Sequence, residues 1–242
     1  MPPACPARSA RRLPLLAPLW LLAGAAHADI GGTLSVQSDA RERGVSYSND
    51  KPGAQVGLAW DGPAGWYGGA ALTQARFDKD RQAGWLRAYG GRVGGLRPGL
   101  DAEIGLVAHR FAGVSRYDYL EGYVGLLGER WNVRLHHAPD HYGSGQRAVY
   151  GEFNLRWPLA AGIAAVGHVG ALKGHGEPRW PLATYGGRHG PTRIDLRAGL
   201  AWQLGEHADL QLAWVSVSRG GPVTWTTAST RRTAVLGLSV AF

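Results

Sequence analysis

Along most of the chain, apolar and polar residues alternate with a period of two. The last stretch, "RRTAVLGLSVAF" (231–242), puts Ala234, Leu236, Leu238, Val240 and Phe242 on one face. Thr233, Gly237, Ser239 and Ala241 fill most of the gaps, and only Val235 breaks the rhythm. The stretch 193–204 sets Ile194, Leu196, Ala198, Leu200, Trp202 and Leu204 against Arg193, Asp195, Arg197, Gly199, Ala201 and Gln203. Successive side chains of an extended strand point to opposite faces, so the pattern predicts strands with one apolar and one polar face. Twelve segments follow it: 32–39, 53–60, 66–74, 85–93, 100–109, 117–127, 131–137, 148–157, 163–172, 193–204, 209–217 and 232–242. Each is near the roughly 9–11 residues that a tilted strand needs to cross a bilayer.

The connections alternate in length. "DGPAG" (61–65), "GGLRPG" (94–99), "GER" (128–130), "PLAAG" (158–162) and "GEHA" (205–208) are short and carry residues that tight turns favour. Connections 40–52, 75–84, 110–116, 138–147, 173–192 and 218–231 are long. This interleaving predicts an all-β fold: an up-and-down antiparallel transmembrane β-barrel of about twelve strands, with short periplasmic turns and long extracellular loops. Trp60, Trp66, Trp131, Trp157 and Trp202 fall at or near the short-turn ends. That placement suits an aromatic girdle at one membrane interface, the alternative being caps on a soluble core. A final strand that seals against the first leaves no unpaired edge in hydrocarbon. Its end on Phe242 resembles the terminal signal read by barrel-assembly machinery.

Composition fixes the expected compartment. Arg8, Arg11 and Arg12 precede "LPLLAPLWLLAGA", which closes on Ala26-His27-Ala28. A basic region, an apolar core and a small-x-small site together read as a signal peptide over 1–28, cleaved to leave a barrel over 29–242. The alternative, an uncleaved anchor, is disfavoured because the stretch is short and broken by proline. Cleavage removes Cys5, the only cysteine, so the mature chain has no disulfide and no thiolate metal site. It also lowers the net charge from +8 to +5, since three arginines leave and no acid does. No long apolar run follows: "PLAAGIAAVGHVGAL" is interrupted by Gly162, Gly167, His168 and Gly170. The expected location is therefore the outer membrane of a Gram-negative bacterium. Export makes a nucleic-acid partner remote, and the basic residues form no single stripe. Positive loops facing outer-membrane lipid and lipopolysaccharide suit the charge better.

If the apolar faces meet lipid, the opposite faces enclose Arg87, Arg134, Arg156, Arg193 and Arg197 together with Asp101, Glu103, Glu121, Glu152 and Asp195. Enclosed charges are expected to pair. They either line a narrow wet channel or interlock and close it. A twelve-stranded barrel lies between filled eight-stranded and open sixteen-stranded examples, so strand number does not choose.

The stretch 34–72, "LSVQSDARERGVSYSNDKPGAQVGLAWDGPAGWYGGAAL", resembles the opening of the TorF-type porin family of proteobacterial outer membranes. Ser38, Asp39, Arg43, Gly44, Val45 and Ser46 carry the resemblance, with Asn49, Pro52 and Gly57 beyond them. Gly65-Trp66-Tyr67 and Gly69 are similar to the family's glycine–aromatic start of the third strand. Ala40 departs from it, since family members usually carry an aromatic there. The resemblance covers about the first forty mature residues and the tail. It implies a fold and a location, and brings no catalytic residues. In its own terms, Gly44 supplies the freedom for a turn or bulge. Arg43 has open readings: reaching lipopolysaccharide phosphates, folding back into the lumen, or solvation in a loop.

Chemistry is sparse. "YGSGQ" (142–146) holds Gly-Ser-Gly in a loop rather than at a strand-to-helix elbow, and no histidine is followed two residues later by serine. A hydrolase needs its serine beside an oriented base. His136, His137, Asp140 and His141 cluster in "HHAPDH", but His136 and His137 fall on opposite faces of a strand. No metal site, cofactor or enzymatic activity is expected. The sequence thus predicts passive passage of small hydrophilic solutes, with loop 173–192, carrying Trp180 and Tyr185, able to fold over the mouth. A non-conducting structural or adhesive barrel and a lipid-modifying enzyme are the alternatives.

Overall fold

The computed structural model describes residues 29–77, 81–179, 190–222, 224 and 230–242. The signal segment and Trp180 and Tyr185 lie outside them. Twelve strands form a closed barrel: β1 (Asp29–Gln37), β4 (Gly53–Asp61), β5 (Trp66–Phe77), β6 (Arg81–Arg97), β7 (Leu100–Phe111), β8 (Tyr119–Gly128), β9 (Trp131–Ala138), β10 (Arg147–Ala160), β11 (Ile163–His175), β12 (Thr192–Leu204), β13 (Ala208–Val217) and β14 (Arg232–Ala241). Two further strands, β2 (Arg41–Glu42) and β3 (Val45–Ser46), pair only with each other. Sequential barrel strands pair antiparallel, and β14 closes on β1 with Thr33 opposite Ala241 and Gln37 opposite Gly237. Gly32 and Phe242 exchange backbone hydrogen bonds of 2.8 and 3.0 Å beyond that ladder. The predicted up-and-down barrel is therefore the fold, each predicted strand lying within or beside an observed one.

Its polarity is inverted relative to a water-soluble domain. Leu196 and Leu238, from the clearest alternating segments, are 48% and 43% exposed on the outer face. Glu103, Glu121, Asp195 and Arg193 are buried inside. Charged residues are seldom fully buried unless paired, so this distribution requires a partnered interior and an apolar outer solvent. Trp60, Trp66 and Trp157 project outward near the short-turn end.

Glycine shapes the inner wall. Gly69 faces Tyr89, Gly91 faces Tyr67 and Gly105 faces Tyr123 across adjacent strands. A Cβ on Gly105 would stand 2.5 Å from the Tyr123 ring, and one on Gly91 2.6 Å from the Tyr67 hydroxyl. The tyrosines lie flat along the wall because their opposite positions have no side chain.

Two expected loops differ. Segment 75–84 is mostly strand, because β5 and β6 stay paired from Trp66↔Arg92 out to Phe77↔Arg81. A charged sequence stays extended there because it can still satisfy its backbone groups across the ladder. Loop 40–52, expected outside, folds into the barrel, where Val45, Ser46, Tyr47 and Ser48 are all buried.

Candidate functional site

The inward segment is built from the residues that make the sequence distinctive. Arg43 (φ 48°) and Gly44 (φ 75°) form the two-residue turn between Glu42 and Val45. Positive φ at both central positions is the type I′ geometry of tight hairpins, which glycine meets without strain. Asp39 organises the base. It accepts hydrogen bonds from Ser46 Oγ at 2.6 Å, Ser48 Oγ at 3.1 Å and Arg41 Nε at 2.5 Å. Arg41 also donates to the Gly44 carbonyl at 2.8 Å and to Asp50 at 2.7 Å. Ser38 holds the hairpin to the closing seam, its amide donating to the Leu236 carbonyl at 2.8 Å and its hydroxyl accepting from the Leu236 amide at 3.0 Å.

Arg43 folds back into the lumen and meets the far wall. Its two terminal nitrogens donate to both Glu121 oxygens at 2.8 and 2.6 Å, and its guanidinium lies 4.3 Å from the Tyr150 ring centre. Above it, towards the long-loop end, aromatic rings fill the bore. Tyr47 stacks on Trp85 with centroids 4.3 Å apart, and Phe111, Tyr119 and Tyr142 pack around them. Tyr142 belongs to a second inward loop and shares a hydroxyl–hydroxyl hydrogen bond with Tyr47. Burial raises Tyr142 to about 12 and lifts Tyr47 well above its usual value, so both phenols stay protonated. His141 beside them is buried, and desolvation holds it well below the usual histidine range.

Below the hairpin the interior is polar. Glu103 pairs with Arg134 and accepts from Tyr67 at 3.1 Å, and Tyr67 meets the Tyr123 hydroxyl at 2.5 Å. His168 joins Asn154 at 2.6 Å and Asp195 at 2.7 Å. Arg156 pairs with Asp209 at 2.7 Å. A partly open cavity of about 200 Å³ lies between the hairpin and the walls made by β1, β4 to β6 and β10 to β13. A smaller one of about 60 Å³ is bounded by His109, Glu121, Arg134 and His136. Glu42, Arg43 and Arg87 border both, so the hairpin tip partitions the bore.

The ten charged residues expected inside take varied positions. Arg134 and Glu103 form an ion pair with each other. Glu121 takes Arg43, Arg156 takes Asp209, Asp195 takes His168, Arg87 reaches Glu42 at 3.4 Å, and Glu152 lies 3.7 Å from His136. Arg193 is buried among the rings of the outer half. Asp101 sits near the short-turn end, partly exposed. Arg197 lines the larger cavity with no ion pair or hydrogen bond among the described residues. Sequence reasoning missed Arg41, Glu42, Asp209 and His168 as interior groups, while His109 falls on the polar face of its segment. Asp209 was accessible to the alternation rule, whereas Arg41 and Glu42 required knowing that their loop turns inward.

The other candidates separate. Ser144 Oγ donates to the His141 backbone carbonyl at 2.6 Å rather than to an imidazole, so the two form no nucleophile–base pair. His136 points inward, His137 outward, and Asp140 and His141 belong to the following loop. Among the described residues no group of three metal-ligating side chains converges.

A family model described as "Bacterial protein of unknown function (Gcw_chp)" matches residues 23–230. The chain belongs to the Gcw_chp family. No curated protein matches it in sequence. Among solved structures, the Gcw_chp barrel is similar to the KdgM porin in complex with disordered oligogalacturonate, at 10% identity and TM-score 0.53. That match covers 89% of this chain and 99% of the other. The NanC porin is similar at 11% identity and TM-score 0.56, covering 88% of this chain and 99% of that one. At such identity the likeness is one of fold.

Proposed function

We propose that this Gcw_chp protein is an outer-membrane porin of a Gram-negative bacterium that passes small hydrophilic solutes passively once its inward hairpin withdraws. The observation that carries the reading is the combination of a lipid-facing apolar exterior with a polar interior holding a cavity under a hydrogen-bonded plug. Interior ion pairs can either line a water path or interlock to close it, and the open cavity left beneath the hairpin favours the first. The inward charged rows, Arg87, Arg134, Arg156, Arg193 and Arg197 with Asp101, Glu103, Glu121, Glu152 and Asp195, are the groups that would set its selectivity. The resemblance of residues 34–72 to the TorF-type family and the porin fold of the structural neighbours support the same reading. Its partners are then membrane lipid and lipopolysaccharide, the barrel-assembly machinery that reads Phe242, and the solute itself.

The packed aromatic rings of the outer half favour a second reading, a non-conducting structural barrel. Single-channel recording in planar bilayers separates the two. The wild type should give rare openings, and Glu121→Gln, which weakens the hairpin's hold, should give frequent ones. Current from neither protein would remove the porin reading.

A further inference from the structure

The larger cavity is bordered by five arginines, Arg41, Arg43, Arg87, Arg156 and Arg197, against three carboxylates, Glu42, Glu152 and Asp195. Most of these charges are committed. Arg41 is held by Asp39 and Asp50, Arg43 by Glu121 and Arg156 by Asp209. Arg87 reaches Glu42 only at 3.4 Å. Asp195, two residues from Arg197 on the same face, is taken by His168 at 2.7 Å and approached by the Tyr150 hydroxyl at 3.3 Å. Arg197 therefore faces the cavity with no carboxylate of its own among the described residues.

Asp195 and Glu42 act on this guanidinium only at longer range, and none of its N–H donors meets a carboxylate directly among the described residues. Enclosed donors of this kind are costly unless an acceptor reaches them. The planar guanidinium fork matches a carboxylate or phosphate through two parallel hydrogen bonds. The cavity also presents Gln211 and Gln55, the latter accepting from the Thr73 hydroxyl at 2.8 Å. Amides of this kind can both donate to and accept from solute hydroxyls. We infer that this cavity is a binding site for a small polyhydroxylated organic anion, with Arg197 taking the charged group and the wall amides reading the hydroxyls. The inference names the solute class of the proposed porin and rests on that reading for its biological sense, though binding itself requires no conduction.

The test is calorimetric titration of the refolded full barrel in detergent with gluconate, glucose 6-phosphate and uncharged glucose. Heat-modifiable migration on gels would verify folding of each variant. The expected result is that both anions bind at least tenfold more tightly than glucose, with binding weakening as salt rises. Arg197→Gln should lose that preference, and Arg197→Lys, which keeps the charge, should retain part of it. Arg92→Gln, on the outer face, should behave as wild type. A preference between the two anions would identify the head group that the guanidinium accepts. Equal binding of glucose and gluconate overturns the inference, as does unchanged gluconate affinity in folded Arg197→Gln. If Arg197→Gln does not fold, salt-independent binding to the wild type overturns it equally. A barrel that binds gluconate yet never conducts would defeat the porin reading and leave this site standing. One that conducts yet binds gluconate no better than glucose would do the reverse.

Discussion

Arg43, in the turn of the inward hairpin, donates two hydrogen bonds to the carboxylate of Glu121 on β8, joining residues 78 positions apart across the bore. Both side chains are nearly inaccessible to solvent. Removing one partner of a buried ion pair leaves the other charge stranded, typically at about 3–5 kcal/mol. Glu121→Gln keeps one acceptor and should cost less than Glu121→Ala. Both should detach the hairpin more readily than they unfold the barrel, whose ladders are untouched. Limited proteolysis after Arg43, faster in the variants at equal barrel stability, would check this. Equal cleavage rates would mean that the pair does not hold the plug.

Gly44 should tolerate no side chain. Its φ of 75° costs a non-glycine residue about 1–2 kcal/mol. A Cβ there would also stand 2.7 Å from Asp195 Cβ and 2.8 Å from Val217 Cβ. Gly44→Val should expel the hairpin while leaving β1 to β14 closure intact, giving larger and steadier currents in planar bilayers. Conductance identical to wild type would contradict the plug's position.

The strands were legible because a half-lipid, half-lumen ribbon must alternate, and the alternating long and short connections separate it from a half-solvated soluble sheet. Parity along β12 therefore places Arg193, Asp195 and Arg197 on the inner face without any structure. Pairing was not legible, because partners such as Arg43 and Glu121 meet across the lumen rather than at neighbouring positions. The hairpin was hidden for a different reason. Its turn is Arg-Gly rather than Asn-Gly, and its polar residues look solvated until Asp39 is seen to satisfy Ser46, Ser48 and Arg41 together. The glycine content, 37 residues, likewise gains a cause only when register sets Gly105 opposite Tyr123.

That register carries its own consequence. Gly105→Ala should drive the Tyr123 ring off the wall and break its 2.5 Å contact with Tyr67. Overpacking of this kind costs about 1–3 kcal/mol. Urea unfolding of the refolded barrel should show the loss, and the double variant Gly105→Ala, Tyr123→Ala should recover part of it. No recovery would mean that the ring is not the source of strain.

Acid should loosen the outer seal. His141 is buried against the titratable rings of Tyr119 and Tyr142, and the charges of Arg43, Glu121, Arg193 and His109 act on it. Its folded value lies well below 6.5, chiefly through desolvation, so the loop-out state binds the proton more readily than the loop-in state. Stability of the seal is complete above about pH 6.5 and falls as pH drops below it, by up to about 1.4 kcal/mol per pH unit for one proton. Open probability should rise on acidification, and His141→Phe should flatten the dependence below pH 6.5. An unchanged profile in His141→Phe would mean that this imidazole does not set the response.

The assembly signal proposed at Phe242 is separable from the residue's place in the finished wall. The ring of Phe242 lies over Gly32, so closely that a Cβ at Gly32 would overlap it, while the Phe242 backbone exchanges two hydrogen bonds with the same residue. Most of the ring still faces outward, at 74% exposure, so Phe242→Ala should cost the folded barrel at most about 1 kcal/mol. Gly32→Val should cost more, about 1–3 kcal/mol, because it displaces the ring and crowds the seam where β1 meets β14. Unfolding of barrels refolded in detergent reads the wall role, and the amount assembled in cells reads the signal. Phe242→Ala should therefore reduce assembly in cells far more than it reduces stability in detergent, whereas Gly32→Val should do the opposite. If both variants lose stability and assembly in the same proportion, the terminal ring acts only through the seam and carries no separate signal.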